Sequence, residues 1–341
     1  MNIFITGGAG FIGCNLAARH LGRGDRVVIF DNLSRPRTEH NLEWLSSQFG
    51  NSGLAVIRGD VRDFTGLVEA MRAARPDLVA HLAAQVAVTT SIKNPREDFE
   101  INALGTFNVL EAARQLPIPP AVFYASTNKV YGGMEDVRVV AGETRYRYAD
   151  LERGVSESQP LDFHSPYGNS KGAGDQYVHD YARIYGLKTV VFRQSCIYGE
   201  RQFGVEDQGW VAHLIIAAAL NRPITIYGDG KQVRDLLHVQ DLLDAYDAAW
   251  GRLGEVAGQV FNVGGGIANT LSVWVEFGLL LERMAGRSIL ITRSDWRPGD
   301  QPVFISDNAK AERLLGWRPK IAVEDGVRQL WDWVTANPGL F

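Results

Sequence analysis

The run Gly7-Gly8-Ala9-Gly10-Phe11-Ile12-Gly13 constrains this chain more than any other stretch. It follows a short apolar segment, residues 2–6, and opens a segment, 14–22, with the apolar spacing of a helix. Strand, glycine turn and helix in that order begin a βαβ unit. Glycines there let the backbone turn tightly and approach a pyrophosphate, whose charge a helix N-terminus favours. Gly7, Gly10, Phe11, Ile12 and Gly13 are therefore candidate cofactor contacts. The next strand, 27–30, ends at Asp31, eighteen residues after Gly13, where an acid accepts hydrogen bonds from a ribose. The charge of Asp31, beside Asn32, repels a 2′-phosphate, so NAD is expected rather than NADP. Arg35 and Arg37 lie just beyond, either as a solvated loop or as receivers of such a phosphate.

The alternation continues. A strand over 54–57 runs into Gly59-Asp60-Val61, where Asp60 can meet an adenine amino group and Val61 the ring. A strand over 78–82 leads into Leu82-Ala83-Ala84-Gln85, small residues that let the backbone close on the cofactor. A helix over 95–115 and a strand over 121–126 then deliver Thr127. Asn102 is polar among helix neighbours Ile101, Leu104, Phe107 and Val109, and it either satisfies a backbone group or holds the adjoining loop. This rhythm predicts an α/β fold: a doubly wound parallel Rossmann sheet with a smaller C-terminal α/β substrate lobe. Residues 1–185, completed by a strand at 189–193 and parts of 230–265, are expected to form the dinucleotide domain. About 194–230 and 266–341, with a strand at 289–291, are expected to form the interleaved lobe.

Composition excludes several classes. At 341 residues there is room for one large domain or two joined ones. A net charge of −4 carries no basic footprint, so no nucleic-acid partner is expected. Cys14 and Cys196 are too few for a disulfide framework or a cysteine-built metal site, and no metal is expected. No run reaches the roughly 18 apolar residues of a membrane span. With a strand at the very start and no leader pattern, a cytoplasmic, membrane-free protein is expected.

Tyr167 and Lys171 are four apart and share a face of a helix expected over 166–185. A phenol acts as acid and base only if its pKa falls from about 10, and an ammonium nearby favours the phenolate. Thr127 adds a hydroxyl that can hold the reacting oxygen. The set suits taking a proton from an alcohol while hydride leaves the same carbon. Asn128 and Lys129, next in the chain, are an amide and an ammonium, suited to holding hydroxyls and a carbonyl oxygen. Lys129 can equally form a structural ion pair.

Gly7-x2-Gly10-x2-Gly13, Asp60, the Ser126-Thr127-x-x-Val130-Tyr131-Gly132 run and Tyr167-x3-Lys171 together resemble the extended short-chain dehydrogenase/reductase family, over nearly the whole chain. The resemblance implies NAD contacts from the glycine run, Asp31, Asn32, Asp60, Val61, Leu82 to Gln85, Asn102, Tyr167 and Lys171. It also implies a nucleotide-sugar substrate in the C-terminal lobe, with Arg234 on a phosphate and Arg297 and Asp300 holding the nucleotide. Ion pairs are the alternatives, for Arg234 with Asp235 or Asp241. Where the family has an asparagine touching the diphosphate, this chain has Cys196. Dehydratases of the family carry Asp-Glu after the threonine, carboxylates that elimination needs. Asn128-Lys129 argues against that reaction.

The long insert 133–163, His164, and the stretch from Arg201 to Trp210 resemble a subgroup that inverts C2 of CDP-linked deoxyhexoses. That likeness implies a CDP-sugar held by Gln85, Thr127, Asn128, Lys129, His164, Tyr167, Gln194, Arg201, Gln202, Arg234, Arg297 and Asp300, with Thr127, Tyr167 and Lys171 catalytic. His164 is either a sugar ligand or structural. Helices at 95–115 and 166–185 resemble the family's dimer-forming pair, implying a homodimer or homotetramer. A 4-epimerase of UDP-hexoses, a net oxidoreductase and a non-catalytic dinucleotide sensor are the competing readings.

Overall fold

A computed structural model describes residues 1–50, 52–297 and 300–341. Its central sheet has seven strands: β1 (Asn2–Thr6), β2 (Arg26–Asp31), β3 (Leu54–Arg58), β4 (Leu78–His81), β5 (Ala121–Thr127), β6 (Thr189–Gln194) and β7 (Gln259–Val263). The order is β7-β6-β5-β4-β1-β2-β3. β1 pairs in parallel with β2 and β4, β2 with β3, and β4 with β5. The chain reverses direction across the sheet between β1 and β4, the switch point where open α/β sheets bind ligands. Ile3, Phe4 and Ile5 are buried one after another, as befits a parallel strand covered on both faces. One apolar cluster gathers Phe4, Val61, Leu67, Met71, Val109, Leu110, Val122, Val178 and Val191.

The chain divides into two compact units. The first comprises Met1–Thr127, Ser165–Arg193 and Tyr246–Phe261; the second comprises Asn128–His164, Gln194–Ala245 and Asn262–Phe341. The boundary expected at residue 185 differs from this, because residues 128–164 group with the second unit. Val130, Tyr131, Met134 and Val155 pack there against Val233, Val303, Phe304 and Ile305. That unit carries short sheets: Ile224–Tyr227 beside Ile291–Ser294, and Val233–Asp235 between Thr270–Ser272 and Val303–Phe304. The strand expected at 289–291 thus begins two residues later. Ile289 is buried in the helical core instead, its N–H donating to Glu282.

The helix expected over 95–115 is interrupted. Pro95–Phe99 and Gly105–Arg114 are α-helical, and Glu100–Leu104 between them is a π-turn. Extra residues of this kind inside helices recur at functional sites. Among the described residues no helix is long and apolar enough to cross a membrane.

The Ser165–Tyr185 helix is fixed to the sheet by a wholly buried ion pair. Arg193 of β6 donates to both oxygens of Asp175 at 2.9 Å, and the Ser126 hydroxyl donates to the same carboxylate at 2.6 Å. Breaking one side of a buried pair strands the other charge. Asp175→Asn is expected to lower the unfolding free energy by about 3 kcal/mol, read by denaturant titration; a loss under about 1 kcal/mol would show the pair behaves like a surface one.

Candidate active site

The glycine run forms a cradle at the start of the helix Phe11–Leu21. Gly7 has φ +69, and a Cβ there would lie 2.6 Å from the Ala83 nitrogen. A Cβ on Gly13 would lie 2.5 Å from the Gly7 carbonyl, so glycine lets the helix start press against the turn. Gly10 caps the helix with no side-chain hydrogen bond. The leading N–H groups, at Phe11, Ile12 and Gly13, are thus left to an outside acceptor. At the tip of β2 the Asp31 carboxylate accepts the N–H groups of Ala9 (3.0 Å) and Leu33 (2.8 Å). Burial pushes its pKa up, partly offset by those bonds and by Arg35. Arg35 is itself exposed. An uncapped helix, a glycine cradle and a carboxylate at the strand tip fit a dinucleotide.

Other expected contacts are differently placed. Asp60 is held by Arg62 through two side-chain bonds (2.9 and 2.7 Å) and by Asn32 (2.8 Å), with Arg62 chiefly pulling its carboxyl pKa down to about 2. Val61 is buried in the sheet's apolar cluster. The N–H groups of Leu82 and Ala83 tie their loop to Thr6, and Ala84 follows them. The Gln85 amide is committed within the protein, accepting from Ala87 N–H (2.6 Å) and donating to the Ala87 carbonyl and Asp98. Asn102 brackets Gln85, accepting its N–H and donating to its carbonyl, both at 2.9 Å. Asn102 thus satisfies two backbone groups of Gln85 and by the same bonds holds its loop, so the geometry fits both readings.

The residues expected to be catalytic lie where β5 meets the Ser165–Tyr185 helix. Tyr167 and Thr127 are buried and share a side-chain hydrogen bond. Burial pushes the phenol up to about 12; Thr127 opposes this and Asp98 adds to it. The expected lowering by Lys171 is absent. The Lys171 ammonium instead donates to the Ala125 carbonyl at 2.7 Å and rests 4.2 Å from the centre of the Tyr124 ring. Its pKa falls to about 7 through burial, opposed by Asp175 and Asp98. Asp98, Ser170 and Asp175 went unrecognised in the sequence. Asp175 had a signal, standing four residues after Lys171 on the same helical face; Asp98 reads there as an ordinary acidic first turn.

In the second unit, Arg234 donates to Asp300 at 2.6 Å rather than to Asp235 or Asp241. Asp235 accepts from Ser195, and Asp241 from the Lys320 and Ile321 N–H groups. Asn128 and Lys129 stand on the 3₁₀ turn Asn128–Tyr131. Burial, then Arg234, pulls the Lys129 ammonium down to about 8, with Asp300 and Cys196 opposing. Arg297 lies 4.0 Å from the centre of the Tyr227 ring and pairs with Glu206 and Asp207; Pro298 and Gly299 of the Arg297–Asp300 stretch lie outside the described residues. His164 pairs with Asp162 at 3.0 Å. The Arg201 guanidinium sits 5.5 Å from the Trp333 ring, Gln202 donates to the Ile197 carbonyl, and Gln194 ends β6.

Residues 4–330 match the family described as GDP-mannose 4,6 dehydratase. The chain belongs to this extended short-chain dehydrogenase/reductase family. CDP-paratose 2-epimerase of Salmonella typhi is 46% identical over 98% of this chain and 100% of its own length. UDP-glucose 4-epimerase of Thermotoga maritima, solved with UDP-glucose, has a TM-score of 0.85 at 29% identity, covering 99% of this chain and 100% of its own. UDP-glucuronic acid 4-epimerase of Bacillus cereus, solved with UDP-glucuronic acid and NAD, has a TM-score of 0.84 at 29% identity, covering 98% and 99%.

The Lys129 ammonium loses its proton as pH rises through about 8. With that charge holding oxygens of the sugar, KM rises over roughly pH 7 to 9 in the parent and stays level in Lys129→Met. Initial rates across that range read it; a level KM in the parent would remove the role.

Proposed function

We propose that this chain is an NAD-dependent nucleotide-sugar epimerase that inverts C2 of a CDP-hexose, converting CDP-paratose to CDP-tyvelose or acting on CDP-glucose likewise. The observation that carries the choice of C2 is the 46% identity, end to end, with a CDP-paratose 2-epimerase. The buried Tyr167–Thr127 pair supports the oxidation step.

The glycine cradle and Asp31 would hold NAD, which when bound would take up hydride and return it. Tyr167 removes the proton of the C2 hydroxyl, and Thr127 holds the oxygen as it becomes a carbonyl. Lys171 is assigned to favour the phenolate when charged, a lowering that the resting site, where burial holds the phenol neutral, does not display. The 2-keto sugar turns to present its other face for reduction, and Tyr167 gives the proton back. No carboxylate follows Thr127, which fits a cycle without elimination. Arg234 is assigned to the diphosphate, Arg297 and Asp300 to the nucleotide, and Asn128, Lys129, His164, Gln194, Arg201 and Gln202 to the sugar. A cytoplasmic homodimer or homotetramer accompanies this reading, supported by exposed Phe99, Phe107, Tyr177, Ile184 and Tyr185 on the two helices.

The test is to incubate the protein with CDP-paratose, CDP-glucose and UDP-glucose in deuterated buffer and follow the sugars by NMR. Inversion at C2 without solvent deuterium is expected; inversion at C4 alone would favour a UDP-hexose 4-epimerase like the structural relatives. Tyr167→Phe is expected to lower kcat by about 1,000-fold with NAD still bound. Thr127→Ala is expected to lower kcat more than it raises KM.

A further inference from the structure

Asp98 is 1% exposed, yet none of the hydrogen bonds found for its carboxylate comes from a cation. It accepts from the Ser170 hydroxyl at 2.5 Å, the Gln85 amide at 2.7 Å and the Asn102 amide at 3.1 Å. These donors stand on three separate segments. Ser170 precedes Lys171 on the Ser165–Tyr185 helix, Gln85 lies in the loop after β4, and Asn102 is on the π-turn. Asn102 also grips the backbone of Gln85 and donates to Ser170 at 3.2 Å. A second tie joins the same partners, since Ser91, from the short helix after that loop, accepts the Tyr167 N–H at 3.1 Å. A desolvated carboxylate is costly unless its acceptors are filled, so each donor has a defined place that it leaves only at a penalty.

We propose that Asp98 is a positioning residue for the epimerase reaction: it locks the Ala83–Gln85 loop to the helix carrying Tyr167 and Lys171, so that loop, phenol and ammonium keep one mutual register. The proposal rests on the function proposed above. The loop bears on the glycine cradle, because Gly7 packs on the Ala83 backbone. A shift of the helix against it would misalign the oxidised carbon and the hydride acceptor, and errors of about 1 Å at such a step cost about 100-fold in rate. Asp98 also adds to the field at both Tyr167 and Lys171, raising the pKa of each.

Asp98→Asn keeps the shape but turns donors against donors. It is expected to lower kcat about 10- to 100-fold with KM for the CDP-hexose within about twofold. Bound NAD should stay stoichiometric, and the isotope effect with C2-deuterated substrate should rise as hydride transfer becomes limiting. Ser170→Ala, which removes one donor and keeps the carboxylate, should show the same pattern with a smaller loss of kcat. Amide hydrogen exchange of residues 83–87 should speed up in both variants. Unchanged kcat and isotope effect in Asp98→Asn would overturn the proposal. So would a purely structural outcome, in which Asp98→Asn loses NAD and melts early while Ser170→Ala matches the parent. Hydrogen exchange needs no substrate, so a parent chain that converts no CDP-hexose would sink the substrate reading while the exchange data still judge the lock.

Discussion

The Lys171 ammonium, buried against the Ala125 carbonyl and the face of Tyr124, is the contact around which β5 and the Ser165–Tyr185 helix are fitted together. A buried ammonium is unstable by itself; a carbonyl acceptor and a ring face worth up to about 2 kcal/mol restore part of what water provided. Four consecutive residues at the end of β5 each grip the same helix. Tyr124 donates to the Lys171 carbonyl, Ala125 accepts its ammonium, Ser126 donates to Asp175 and Thr127 bonds Tyr167. The strand's register therefore sets the position of Tyr167, Lys171 and Asp175 on the helix.

The same arrangement explains why phenol and ammonium sit at unusual pKa values in opposite senses. Both are desolvated, which favours the neutral form of each. Burial raises Tyr167 to about 12 and lowers Lys171 to about 7. A neutral phenol can give a proton but not take one, so proton removal by Tyr167 needs the phenolate, which a positively charged group nearby favours. Asp98 and Asp175 hold Lys171 toward its charged form. The site is thus a balance between desolvation and two buried carboxylates, Asp175 paired with Arg193 and Asp98 held by hydroxyl and amide donors.

Much of this was legible in the chain. The strand–glycine–helix opening, the acid at β2 and the alternation through β5 follow from local rules of period and turn chemistry. The i, i+4 relation of Tyr167 and Lys171 is a helical property, readable without coordinates. The π-turn was not legible, because a single extra residue per turn leaves the apolar pattern of 95–115 looking helical throughout. Nor was the fate of Gln85, whose small-residue loop reads as cofactor-facing while its amide is claimed by Ala87 and Asp98.

By itself the sequence determined the sheet, the glycine cradle, the tyrosine–lysine face and, through likeness to relatives, the reaction class. Tertiary structure alone decided which charges meet. Arg234 could pair with Asp235 or Asp241 by proximity in the chain, but backbone donors and Ser195 already fill those carboxylates, and Asp300, sixty-six residues away, takes the arginine. It likewise decided that Lys171 turns to Ala125 and that Asp98 meets Ser170 across seventy-two residues. Local propensity acts over a few residues, whereas the partner of a buried polar group is set by whatever the fold brings within about 3 Å.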